Sequence, residues 1–436
     1  MTLEAMTAWS APARTDVSVA AAGQYPGVLL HAVRLARSGP ADTRTPHAIE
    51  DLAQLVRRIG PRPRGSAALV TELERAELTG RGGGQFPSAV KWRSALRGRG
   101  PLTVVANGAE SEPLSAKDAT LLRQRPHLVL DGLAITAEAL GAERAVVWLH
   151  GDDDGTRAAV QVALAERRAA WIPGPRLELV SGPAHYLAGE SSAIGRALNG
   201  GPVLPIARRR PDAAAGGSRT LVHNVETLAR VALIARGYPP TPTVLLTVLT
   251  PTDRQVVEVD RRTPITEVLE RTGWLHGGRP QAVLLGGFGG MWVPWRDIAG
   301  ATFDEDALRA VGLSAGAGVV APIPYGACGI AETAAMADYL ASMSARQCGP
   351  CLFGLPALAE SMRLLAAGTA PRRERARLLA DLRAVAGRGA CHHPDGATRL
   401  IASALTAFKH DLGEHARGRL CASAHRTTVP VPAVTW

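Results

Sequence analysis

The feature that most restricts the fold is an alternation between residues 102 and 180. Apolar runs from Leu102 to Ala106, Ala145 to Leu149 and Leu177 to Val180 are separated by helix-period stretches from His127 to Leu140 and Asp154 to Ala170. Strands interleaved with helices of this length predict an α/β layer with parallel pairing. Helical patterns from about His47 to Arg58 and from Ser66 to Leu78 precede the alternation, and a helix expected from His223 to Arg236 closes it. Gly237-Tyr238-Pro239-Pro240-Thr241-Pro242 then reads as a stiff exit.

Beyond that exit the pattern changes. Strands at Thr243 to Leu249, Gln255 to Val259 and Gln281 to Leu285, with a helix at Ile265 to Thr272, suit a small β-grasp-like unit. After about Gly329, apolar residues spaced three and four apart predict a terminal helical bundle that carries most of the cysteines. The expected organisation is therefore a flexible arm over 1–45, an α/β unit over 46–240, a β-grasp unit over 241–329 and a helical unit with a tail over 330–436.

Composition excludes some functions. The net charge of +10 arises from 49 basic and 39 acidic residues, but the lysines are only Lys91, Lys117 and Lys409, and aromatics make up 4%. Scattered arginines without interleaved aromatics argue against nucleic acid as a partner. The uncharged run from Ala310 to Ala331 is broken by Gly312, Gly316, Gly318, Pro322, Pro324, Gly326 and Gly329, so no direct membrane insertion is expected. Five cysteines and no basic-then-apolar leader predict a cytoplasmic protein with reduced thiols.

Four motifs carry chemistry. Gly80-Arg81-Gly82-Gly83-Gly84-Gln85-Phe86-Pro87 is a glycine loop with Lys91-Trp92 close behind. Its backbone N–H groups can approach an anion unhindered by Cβ atoms, although a glycine run is also simply a loop. It is neither the Walker pattern nor the dinucleotide fingerprint. Asn107-Gly108-Ala109-Glu110-Ser111-Glu112-Pro113 places polar side chains at the carboxyl end of an expected strand, where α/β sheets bind ligands. Gly189-Glu190-Ser191-Ser192 and His223-Asn224-Val225-Glu226-Thr227 fall at expected helix starts, where such residues also serve as ordinary caps.

In this order, the motifs resemble the flavin-carrying, NADH-oxidising subunit of respiratory complex I and of related NAD-linked dehydrogenases and hydrogenases, over about residues 60–400. The resemblance implies an α/β domain that holds FMN without a Rossmann fingerprint, a soluble-ligand-binding β-grasp domain and a helical bundle holding a [4Fe-4S] cluster. It implies that Gly80, Arg81, Gly82, Gly83 and Lys91 shape the FMN pocket, that Asn107, Glu110, His223 and Asn224 surround the flavin, and that Phe86 and Glu190 face NAD(H) or NADP(H). No general acid or base is demanded, because hydride transfer needs two flat rings held face to face. The implied activity is hydride acceptance at FMN, with electrons passed through the cluster to other electron-transfer subunits or a ferredoxin-like or quinone-linked acceptor. Location at the inner membrane face would come through such partners.

The chain departs from the family pattern at several points. Ala109 replaces an aspartate, Ser191 replaces a second glutamate, Ser94 and Pro211 stand where aromatics clamp the nicotinamide, and Arg208 stands for a lysine. Cys348, Cys351 and Cys391 match three cluster ligands, whereas Ala345 takes the place of the first. The expected metal group is a [4Fe-4S] cluster with an incomplete cysteine set, a [3Fe-4S] cluster, or none. His392 and His393 are the nearest sequence candidates for the missing ligand. Alternatives are a flavoprotein lacking the cluster, or a non-catalytic relative that keeps the fold and buries its thiols as small apolar groups.

Overall fold

The computed structural model describes residues 17–21, 29–30, 49–206 and 219–433. A four-stranded, wholly parallel sheet is built from β2 (Leu102–Asn107), β3 (Arg144–His150), β4 (Leu177–Gly182) and β5 (Arg219–Asn224), in the order β4-β3-β2-β5. The helices Pro126–Leu140 and Val225–Ile234 pack on each other and against this sheet. Their sides are apolar almost all round, as expected of helices enclosed by other elements.

The chain runs outward from β2 through β3 to β4, then returns to place β5 on the other side of β2. The switch point of the sheet therefore lies between β2 and β5, where α/β sheets open a crevice at the carboxyl ends of their strands. Asn107 and Asn224 are register partners at that edge.

The second sheet is mixed and runs β1-β7-β6-β10-β8-β9. It comprises β1 (Val17–Ala21), β6 (Thr243–Leu249), β7 (Arg254–Asp260), β8 (Pro280–Leu285), β9 (Met291–Pro294) and β10 (Val319–Pro324). β6 and β7 form an antiparallel hairpin, and β10 lies parallel to β6. The helices after β10, Gly329–Ser342, Leu355–Ala366, Glu374–Val385, His393–Ala407 and Lys409–His415, share one apolar core that reaches β8, β9 and β10. Among the described residues, no helix is long and apolar enough to cross a membrane.

Several expectations need correction. The supposed arm contributes β1, parallel to β7, and the buried pair Leu29 and Leu30, whose N–H groups donate to Glu258 at 3.0 and 3.2 Å. The helix expected from His223 begins at Val225, because His223 and Asn224 end strand β5. The glycine- and proline-broken run from Ala310 contains β10. Arg208 and Pro211 lie outside the described residues.

Candidate functional site

The glycine loop lies on the β5 side of the switch point. The Arg81 N–H donates to Thr227 Oγ1 at 2.9 Å, which pins the loop to the helix that follows β5. Gly82 faces Asn224, since a Cβ there would sit 3.5 Å from the asparagine Cβ. Gly83 has φ +93°, a conformation that favours glycine, and abuts the backbone of Gly316 in the loop before β10. The N–H groups of Gly82, Gly83 and Gly84 make no hydrogen bond of normal geometry among the described residues. Such a turn presents donors to an anion.

Lys91 is half-buried on the helix Ser88–Arg97, and its ammonium donates to the Val222 carbonyl at 3.3 Å. Burial pulls its pKa below the lysine value. With Phe86, Ser94, Ser191 and Val222 it lines a cavity of about 560 Å³ beside β5. A half-buried cation with one long carbonyl contact is matched by an incoming phosphate. The residues present therefore fit the phosphate end of FMN.

Arg81 belongs elsewhere. It lines a separate cavity of about 330 Å³ with Arg230, Arg261 and Glu305. Burial, reinforced by Arg230, lowers its pKa to about 10. Arg81 and Lys91 thus face different spaces, against the sequence expectation of a shared pocket.

The carboxylates and amides of the motifs are largely engaged within the protein. The Asn107 amide donates to the Gly189 carbonyl at 2.8 Å while its oxygen accepts from the Ala109 N–H at 3.1 Å. Glu110 accepts from the Ser115 hydroxyl and from the N–H groups of Asp118 and Ala119 at 3.1 and 3.2 Å, so it caps the helix Lys117–Gln124. Glu190 caps its own helix, Ser191–Leu198, through the N–H groups of Ser192 and Ala193, both at 2.9 Å. Gly189 cannot carry a side chain, because a Cβ would lie 2.6 Å from Ser111 Oγ and 2.7 Å from the Ala109 carbonyl. Phe86 remains exposed.

His223 is not on the rim. Its Nε2 accepts from the Trp92 indole at 3.0 Å, and burial, with Lys91 adding to it, lowers its pKa to about 3. It is a neutral core acceptor that orients the helix bearing Lys91.

Sequence reasoning overlooked a buried charge cluster beneath the crevice. Lys117 bridges Asp118 at 2.6 Å and Glu226 at 3.3 Å, and Glu226 also pairs with Arg230 at 2.8 Å. The Asn224 amide donates to Asp118 at 2.6 Å. Burial raises the pKa of Asp118 to about 7 despite Lys117, and Glu110 pushes it the same way. Glu112, from the same motif as Asn107, accepts from the Phe288 N–H at 2.9 Å and is raised by burial to about 7. Glu226 and Glu112 stand inside the quoted motifs, and their burial was the missing signal.

Of the three thiols matched to the cluster, Cys351 feels both Cys348 and Cys391. Cys348 lies just before the π-helical segment Pro350–Gly354 and Cys351 within it, and the Cys351 N–H donates to the Cys348 carbonyl at 3.0 Å. Burial raises the Cys351 thiol to about 12, with contributions from Cys348 and then Cys391, while the Arg346 N–H opposes the shift. Ser344, beside Ala345, is buried with its hydroxyl unpartnered. The donor set fits an iron–sulfur cluster held by three thiolates. His392 is exposed near Asp395, whereas His393 is buried and bonded through Nε2 to the Leu340 carbonyl at 2.8 Å. Gln347, next to Cys348, reaches Arg196 at 3.5 Å and the Pro205 carbonyl at 3.0 Å, which docks the thiol turn against the helix that Glu190 caps.

Residues 73–233 match the family model of the Nuo51 FMN-binding domain, and residues 331–415 match that of the NADH-ubiquinone oxidoreductase-F iron-sulfur binding region. The chain is 28% identical over 378 residues to the NADH-quinone oxidoreductase F 2 subunit of Rhizobium meliloti (strain 1021), covering 81% of this chain and 90% of that protein. It is 27% identical over 384 residues to the NADH-quinone oxidoreductase F subunit of Rhodobacter capsulatus, covering 80% and 88%. Among solved structures it superposes on an NAD+-reducing [NiFe]-hydrogenase in the H2-reduced state with a TM-score of 0.70, at 25% identity, covering 85% of this chain and 68% of the other. Both family regions occur on one chain, in the order their motifs require and over the elements described above, so this protein belongs to the family of flavin-carrying, NADH-oxidising F subunits.

Proposed function

We propose that this protein oxidises NADH or NADPH at a bound FMN and delivers electrons through an iron–sulfur cluster to another electron-transfer protein. The observation that carries this reading is the junction of two features: a glycine turn with unpartnered N–H groups and the half-buried Lys91, and a thiol turn docked through Gln347 on the helix beside it. The N–H groups of Gly82–Gly84 and Lys91 would hold the phosphate, with Asn107 and Asn224 beside the ring. Phe86 and Ser191 border the space open to the nicotinamide. Cys348, Cys351 and Cys391 would hold the cluster. FMN, when bound, supplies the exchange between a two-electron donor and one-electron acceptors. The chain's own part is to orient the rings and to exclude water, since no proton relay is required.

The same reading takes the β6–β7 hairpin, the helix Ile265–Arg271 and the parallel β10 as a β-grasp unit, with domain limits near 240 and 329. The partners are one-electron carriers such as a ferredoxin-like protein or sister subunits, at a cytoplasmic location that reaches the membrane face through them. Chain purified anaerobically should be yellow-brown, with a flavin band bleached by NADH or NADPH. Correctly folded protein that stays pale and refuses added FMN would overturn the reading. A second reading, a non-catalytic relative, is favoured by the internal engagement of Asn224, Glu110 and Glu190, and predicts that pale outcome.

A further inference from the structure

The family match assigns nothing to Cys328, His415 or Cys421, yet these form the tightest chemical cluster outside the crevice. Among the described residues, one group of potential metal ligands closes to within 4.8 Å between every pair of donor atoms, and it is this one. His415 Nε2 lies 3.6 Å from Cys328 Sγ and 3.2 Å from Cys421 Sγ. A tetrahedral zinc with bonds of about 2.3 Å to sulfur and about 2.0 Å to nitrogen requires sulfur–nitrogen separations of roughly 3.5 Å. The measured pair brackets that value.

The surroundings are those of a ligand set. His415 Nδ1 is 3.1 Å from the Leu365 carbonyl, which fixes the proton on that nitrogen and directs the Nε2 lone pair at the two sulfurs. The Cys421 N–H donates to Nε2 at 3.2 Å, a contact that a bound ion would replace. Cys328 Sγ accepts from the Ala331 N–H at 3.4 Å, at the start of the helix Gly329–Ser342, where the helix dipole favours a thiolate. Cys328 is fully buried, whereas Cys421 is half-buried, which leaves one side of the triangle open to water.

We infer that Cys328, His415 and Cys421 bind a zinc ion through two thiolates and one imidazole, with water in the fourth position. The ion would fasten the segment after the helix Lys409–His415 to the entry of the bundle. That segment is already strapped there: the Thr428 and Val429 N–H groups donate to the buried Glu332, and the Ser423 hydroxyl donates to the Gly326 carbonyl. Binding releases the thiol protons and involves no redox change.

The test uses the full chain purified anaerobically with its iron in place. Zinc analysis should find about one zinc per chain, falling at least about ten-fold in Cys421→Ser and His415→Ala while iron is unchanged. Cys351→Ser should do the reverse, losing iron and keeping zinc. Because His415→Ala removes a buried ring, Cys421→His provides a second check and should retain zinc. Cobalt(II) alone, added to the iron-loaded chain stripped of zinc, should give thiolate-to-cobalt charge-transfer bands that vanish in Cys421→Ser. Unchanged zinc in Cys421→Ser, absence of those bands, iron at this site, or recovery of Cys328 and Cys421 as a disulfide would each overturn the assignment.

Discussion

The crevice at the switch point and the thiol turn of the helical bundle solve opposite problems. In the crevice, Asn107, Asn224, Glu110 and Glu190 all have partners within the protein, and Asn224 and Glu110 are tied to Asp118 of the buried charge cluster. In the bundle, burial raises the Cys351 thiol, and the Ser344 hydroxyl has no partner among the described residues. A flavin site can be built from backbone donors and one cation on a rigid, self-satisfied frame. A cluster site is instead kept unsatisfied, because its ligands become favourable only when metal replaces their protons. The contrast teaches that the first site is preformed and the second is completed by its cargo.

The largest effect that would sharpen this contrast is Cys351→Ser. Iron should fall to background in metal analysis while the flavin band stays, and loss of both would break the separation. Next comes Lys117→Met, which strands Asp118 and Glu226 without their shared cation and should cost about 3–5 kcal/mol in urea unfolding. The buried Glu332 supplies a pH effect. Burial raises its pKa from 4.5 to about 7, so between those values the folded state keeps a proton that the unfolded state has lost. Stability must therefore fall as pH rises through that window, by up to about 3 kcal/mol, and level off above it. Glu332→Gln should flatten the slope seen in denaturation midpoints.

Lys91→Ala should weaken FMN by about 2 kcal/mol, roughly thirty-fold, and leave riboflavin affinity unchanged. Equal loss of both would show that Lys91 acts through packing. The smallest change is Glu190→Ala, where loss of a helix cap costs about 1 kcal/mol. A rise in the KM for NADH beyond that cost would show that Glu190 also touches the nicotinamide.

The sequence was most readable where strands are buried on both faces. β2 and β3 are continuous apolar runs, and their limits were legible almost to the residue. β5 was not, since Arg219, Thr220, His223 and Asn224 break its pattern, and its pairing comes entirely from the distant β2. β10 was hidden by its two prolines within a glycine-rich run. The glycine loop and Lys91 could be found from local chemistry. The split between Arg81 and Lys91, and the engagement of Asn224 by Asp118, could not, because both depend on tertiary approach between segments far apart in the chain. The triad of Cys328, His415 and Cys421 has no spacing signature for the same reason.

The meeting of Gly83 with Gly316 has a wider bearing. A Cβ on Gly83 would come 3.4 Å from the Gly316 carbonyl group, and Gln85 in the same loop donates to Glu305 at 2.8 Å. The segment that leads to β10 is therefore a mould for the loop, and under the proposed function any ligand or neighbour that shifts it would alter the grip on the nucleotide tail. Tuning of the redox centre can thus be inherited from a part of the molecule that never touches it.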